Sequence, residues 1–386
     1  MNGIDRRSSW LDAKILINTT NLSRYLPRYI GSGDLLMFPF RLFAATGDVV
    51  ARLVSVDGAS VQTTIVLGGE QQSGEGRIVN GVMCVAVDPR DLGRIFAGTF
   101  VRGIYRSRDG GDVWESVGQG MADARVLSIA ISPCDRVNGL SVVYAGTEPS
   151  MLFRSEDDGD TWQPSPALIE LPSVPTWSFP PRPYTHHVRW IGLHPIDPAT
   201  IYAGIELGGV MVTRDGGATW EDRKQGSQHD AHAIATHPAA PDRVYEAAGG
   251  GVALSTDAGA TWRPVDEGMD RLYAWGLAID AADPDLWYVS ASFGARTAHR
   301  NDGDAQGILY RKRGDAPWEA LGGNGSGLER PLSYMPYALV APRGRPQTLI
   351  TGLQNGDLLL TDDAGETWRT LQTGLDGLLA LSESAV

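Results

Sequence analysis

The sequence predicts an all-β protein, a seven-bladed β-propeller of four-stranded antiparallel blades whose ring is closed by the C-terminal strand. Three observations carry that expectation: an eight-residue phrase at blade-sized spacing, a four-run β pattern around each copy, and a spare inner-strand pattern at the C-terminus. The phrase reads Ser/Thr-x-Asp-x-Gly-x-Thr-Trp. It stands at Ser155–Trp162, Thr213–Trp220, Ser255–Trp262 and Thr361–Trp368, and with Val113 in place of Thr at Ser107–Trp114. Arg311–Trp318 reads as a degenerate copy that keeps only the final Trp, and Ser55-Val56-Asp57-Gly58 as a fragment that lacks it. Successive first residues lie 52, 48, 58, 42, 56 and 50 residues apart. Self-similarity near fifty residues belongs to arrays of small sheets, and seven such units fit a propeller.

Each unit has the same grammar. An apolar run ends at a proline or acidic turn, as in Val85-Ala86-Val87-Asp88-Pro89, Ile129-Ala130-Ile131-Ser132-Pro133 and Ile191-Gly192-Leu193-His194-Pro195. A second run carries small residues, as in Ile95-Phe96-Ala97-Gly98 and Val143-Tyr144-Ala145-Gly146. A third leads into the box and a fourth follows its Trp, so four short β-rich runs make one blade. Within the box, an Asp in a tight turn accepts backbone N–H groups just ahead of it, and Gly tolerates positive φ. The Trp is an apolar plate with one donor, suited to cover the hairpin. The boxes are therefore structural staples and not a catalytic or calcium site.

At the C-terminus, Leu378-Leu379-Ala380-Leu381 reads as an extra inner strand, and Arg41-Leu42-Phe43-Ala44-Ala45 already fits the second place of the first unit. The C-terminal run is expected to complete that blade and remove an exposed edge. Residues 37–386 then form a single propeller, and residues 1–36, which match no repeat, an N-terminal extension. The 386 residues carry a net charge of −13 and a pI near 5.0, which argues against nucleic-acid or anionic-membrane partners. Cys84 and Cys134 read as reduced, packed thiols. The first residues lack a continuous apolar h-region and a small-residue cleavage site, which points to the cytoplasm.

These boxes and their spacing resemble the Asp-box (BNR-repeat) propellers, a superfamily of sialidases, sortilin-type receptors, xyloglucanases and photosystem assembly factors. The resemblance covers about residues 38–382. The stretch Trp177-Ser178-Phe179-Pro180-Pro181-Arg182-Pro183 with His186-His187 is similar to a bacterial group known as sialidase-like or glycosyl hydrolase by its repeats. The resemblance implies the architecture and leaves both enzymes and binding proteins open. True sialidases carry Phe/Tyr-Arg-Ile-Pro before the first blade. Phe40-Arg41-Leu42-Phe43 lacks both Ile and Pro, which argues against sialidase activity.

Strand alternation sorts the turns onto two faces. The box face has short turns, whereas the opposite face carries the long segments Gln163–His187, Glu221–His232, Ser290–Gly307 and Glu319–Tyr337. Long loops on a rigid ring are where function concentrates. His194 and His237, in His-Pro pairs, fall on the box face as turn residues. His186, His187, His229, His232 and His299 fall on the long-loop face, with His187 and His232 read as equivalent places on adjacent units.

Three readings follow. The first is a hydrolase or lyase using a transition metal (zinc, iron, manganese or copper) held by His187, His232 and His299. Its candidate catalytic groups are Glu206, Asp230, Glu148 and Tyr273, and its substrate contacts Trp177, Arg182, His186, Trp275 and Tyr337. The second is a metal-free glycoside hydrolase drawing its two carboxyl groups from Glu148, Glu206 and Asp230, with aromatics stacking on sugars. The third is a non-catalytic platform for a protein or small ligand. A small-molecule or glycan ligand is the expected partner.

Overall fold

A computed structural model describes residues 39–68, 81–119, 121 and 124–384. The stretch assigned to an N-terminal extension lies outside the described residues. Seven antiparallel sheets follow one another along the chain. Their innermost strands are Val82–Val87, Arg125–Val137, Val188–Leu193, Ala231–His237, Tyr273–Ile279, Pro336–Val340 and Ala380–Glu383. Each contacts the next, and the last contacts the first, so the ring is closed.

Closure is as expected. Ala380–Glu383 pairs antiparallel with Phe40–Ala45, from Ala45↔Ala380 to Leu42↔Glu383. Six sheets have four strands. In the unit 188–213 the fourth place is reduced to a two-bond bridge between Val212 and Glu221. The inner strand of unit 125–164 runs through Pro133 to Val137 instead of stopping at the proline. It turns at Asn138-Gly139, both at positive φ, as a two-residue hairpin requires.

The second strands explain the small residues of the sequence pattern. Ile95–Thr99 and Ile201–Ile205 are buried along their whole length, because blades cover both faces. At Gly98 a Cβ would meet Cys84 Sγ at 2.6 Å and Val126 Cγ1 at 2.7 Å. Glycine there lets the next blade's inner strand approach. Both cysteines are free thiols, and burial pushes Cys84 up to about 12.

The box turns share one hydrogen-bond network, save that the Trp220 indole donates to Ser165 Oγ and not to its own box. In Ser155–Trp162, Gly159 N–H donates to Ser155 Oγ at 2.8 Å, Thr161 N–H to Asp157 Oδ1 at 2.9 Å, and Trp162 Nε1–H to Gly159 O at 2.9 Å. The fragment at Ser55 keeps the first of these bonds, from Gly58 N–H. The degenerate copy is corrected by its register. Trp287 pairs with Lys312, as Ile95 pairs with Ser107, so Lys312 and not Arg311 takes the first box place. Its ammonium donates to Ala316 O at 2.5 Å, bracing the shortened turn. His194 and His237 serve turns: Nδ1 of each accepts backbone N–H groups two or three residues ahead.

Candidate functional site

One repeated irregularity positions the site. Near the start of six inner strands the register against the second strand slips. The residues left over are Met83, Leu127, Arg189, His232, Trp275 with Gly276, and Tyr337. A bulge of this kind bends the strand and re-aims a side chain. Four successive blades thus present Arg189, His232, Trp275 and Tyr337 at one level. The Arg189 guanidinium lies 4.9 Å from the Trp275 ring centroid. His232 and Tyr337 stand 4.4 and 5.4 Å from the same indole.

This register corrects the equivalence read from sequence. His187 precedes Val188 as Asp230 precedes Ala231, so His187 matches Asp230, and His232 matches Arg189. The alanines around His232 are weak strand formers and concealed where that strand begins. The pattern continues on the second strands. Glu148 pairs with Arg125, Glu206 follows the partner of Val188, and Gly249 follows the partner of Ala231. A Cβ at Gly249 would meet Asp230 Oδ2 at 2.0 Å. Asp230 reaches into the space that a side chain there would fill.

The polar groups form a connected series. Glu148, whose side chain is fully buried, accepts Arg182 Nε–H at 2.8 Å and Nη2–H at 2.5 Å, and Arg125 Nη1–H at 3.0 Å. Arg182 is clamped between Phe100 and Phe179, 4.9 and 4.6 Å from their centroids. His187 Nδ1 stands 3.7 Å from Glu148 Oε2, and its Nε2–H donates to Glu206 Oε2 at 2.9 Å. Burial works to raise the Glu206 carboxyl, but His187, His232 and Arg189 outweigh it and hold it at about 2. Burial likewise opposes Glu148, and its arginines and His187 prevail to keep it below the usual carboxylate range.

His232 is oriented from the next blade. Its Nδ1 lies 2.6 Å from Ala274 O, and a carbonyl can only accept, so the proton sits on Nδ1. Its Nε2 is buried, has no hydrogen-bond partner among the described residues, and lies 3.4 Å from Asp230 Oδ2. Asp230 Oδ1 accepts Leu207 N–H at 3.2 Å. Glu206, Asp230 and His232 each offer a ligand atom, all within 4.8 Å of one another.

Beyond His232 stands an aromatic group. His299 follows the single-turn helix Ala295–Ala298 of the long insertion. Its Nε2 lies 3.0 Å from Tyr273 OH and its Nδ1 2.7 Å from Tyr337 OH. Burial raises both phenols and lowers the imidazole, so all three are neutral at pH 7. Of the three histidines read as metal ligands, His232 therefore stands in the ligand-spaced group, His187 supports Glu206, and His299 bonds two tyrosines. Trp177 belongs to the blade core with Leu168, Val188 and Ile205, and His186 meets its edge at 5.3 Å. Arg189 escaped the sequence reading; its only signal was a cation one place into an inner strand.

No protein-family model matches the chain, and no curated protein does. Solved structures do match. An ancestral GH74 enzyme superposes on 75% of this chain with TM-score 0.57 and 17% identity. The GH74 xyloglucanase from Xanthomonas campestris does so on 76% with TM-score 0.55 and 17% identity. This chain spans 38% and 45% of those two proteins, less than half of their length. YCF48 bound to D1 peptide matches 75% of this chain and 80% of its own, with TM-score 0.52 and 17% identity. At such identities the likeness defines the class by fold: a β-propeller shared by glycan-cleaving and peptide-bound proteins.

Proposed function

We propose that this propeller is a metal-dependent hydrolase or lyase whose ion is held by Glu206, Asp230 and His232. The observation that supports the reading most is His232 itself. With a proton fixed on Nδ1 by Ala274, the buried Nε2 lies 3.4 Å from a carboxylate oxygen of Asp230. Two acceptors so placed repel unless a cation or a second proton lies between them. Two carboxylates and one imidazole form an oxygen-rich set, which favours manganese, iron or zinc over copper. Supporting contacts of the usual kind are present: His187 donates to Glu206, Leu207 to Asp230, and His232 to Ala274.

When bound, such an ion supplies Lewis acidity and an acidified water. The chain's own residues do the rest. Tyr273 and Tyr337 are neutral phenols joined through His299, able to pass a proton between a substrate oxygen and the imidazole. Trp275 gives an apolar wall against which a small ligand or sugar ring lies. A metal-free glycosidase needs a protonated carboxyl group beside an ionised one. Glu148 and Glu206 are both held below the usual carboxylate range by their partners, so neither is suited to be that acid.

The test is metal analysis of the purified full chain after equilibration with manganese, iron(II) or zinc. About one ion per chain is expected in the parent and in His299→Ala, and none in His232→Ala or Asp230→Ala. A parent protein that binds none of the three, or variants that bind as it does, overturns the reading.

A further inference from the structure

The arginines around the site are not equally employed. Arg182 and Arg125 spend their bonds on Glu148. Arg189 comes no closer to a carboxylate than 3.8 Å, to Glu206 Oε2, and its guanidinium makes no hydrogen bond with any described residue. It is nevertheless fixed in place. It occupies a bulge position, lies over the Trp275 ring, and keeps only 17% of its side chain exposed. A guanidinium held by stacking, with its N–H edge unspent, is preorganised for an oxyanion. Leaving that edge without an acceptor in a half-buried place costs stability that a ligand recovers.

We propose that Arg189 anchors a carboxylate of the substrate, so that the molecule handled beside Glu206, Asp230 and His232 is a small carboxylic acid. The inference rests on the site reading above for its second contact, an oxygen of the same molecule at the metal. A guanidinium lying along an indole directs its donors within its own plane, which matches two coplanar carboxylate oxygens better than a tetrahedral anion.

The experiment uses the full chain and oxalate as probe, followed by titration calorimetry on manganese-loaded and metal-free protein, with inorganic phosphate as the competing anion. Arg189→Met is expected to bind manganese as the parent does and oxalate at least tenfold more weakly. Arg189→Lys, which keeps the charge and loses the fork, falls between them. Arg102→Met, an exposed arginine on the same face, binds oxalate like the parent. Circular dichroism and melting temperature establish that each variant is folded. Equal oxalate affinity in parent and Arg189→Met overturns the proposal, as does tighter binding of phosphate than of oxalate. If the parent takes up no metal yet binds oxalate through Arg189, the anchor stands and the metal reading falls. If metal is bound and oxalate is not, the anchor falls alone.

Discussion

The imidazole of His232 is tied to the backbone of the neighbouring blade: its Nδ1–H donates to Ala274 O at 2.6 Å, which turns the opposite nitrogen toward Asp230. The ligand-spaced group is thus drawn from two blades and oriented by a third. Its geometry depends on how those blades seat against one another, and several consequences can be measured.

Gly249→Ala should separate site from fold. The added methyl meets the Asp230 carboxylate at 2.0 Å and nothing comparably close in the backbone. Asp230 swings away, and manganese affinity is expected to fall ten- to a hundredfold while the melting temperature changes by only a few degrees. Unchanged affinity by equilibrium dialysis would falsify the role given to Asp230.

Glu206→Gln tests the carboxylate to which His187 donates. The carboxyl is held at about 2, below its unfolded value near 4.5, so its contribution is complete above pH 4.5 and disappears as pH falls toward 2. The shift corresponds to about 3 kcal/mol at pH 7. Urea unfolding should show the variant weaker by roughly that amount at pH 7, with the gap narrowing steadily at pH 4 and pH 3. A gap independent of pH contradicts the assignment.

Glu246 behaves in the opposite sense. Its side chain is wholly buried; Oε2 accepts Gln228 N–H at 3.0 Å, and Oε1 has no partner. Burial pushes it up to about 8. The folded protein therefore keeps a proton that the unfolded chain releases near 4.5, and stability declines as pH rises from 4.5 to 8. Glu246→Gln, neutral and of equal size, should abolish that decline and be more stable at pH 9 by on the order of 5 kcal/mol. Parallel stability curves for the two proteins speak against it.

Ring closure is checked by removing residues 375–386. The deletion takes away Ala380–Glu383 and the fully buried Leu378, and exposes the edge of Phe40–Ala45. The shortened chain is expected to aggregate or to melt without a cooperative transition. A monomer with the parent's melting temperature contradicts the closure.

The fold was readable because its determinants are local. Ser155, Asp157, Gly159 and Trp162 bond within eight residues, so the network is visible as a phrase, and Leu378–Leu381 stood out as an apolar run left over. The site was partly readable: sorting the turns by face gathered His187, His232, Glu206, Asp230 and Tyr337. Its internal register was not. A bulge displaces the chain by a single residue, which periodicity does not detect, and so His187 was matched to His232 and Arg189 was overlooked. Lys312 eluded the same reading because a lysine ammonium, which only donates, bonds a turn carbonyl where the serine hydroxyl of other boxes accepts an N–H.

The surplus residues of six inner strands stand outside the hydrogen-bond ladder, so strand pairing does not dictate them; packing does, as the burial of Leu127 and His232 shows. The ring resembles a turret of sockets, each occupant writing the chemistry of its own place. Methionine and leucine fill two sockets, while arginine, histidine, tryptophan and tyrosine fill the next four around the ring. An unrelated activity could be installed on this scaffold by altering no more than that handful of positions.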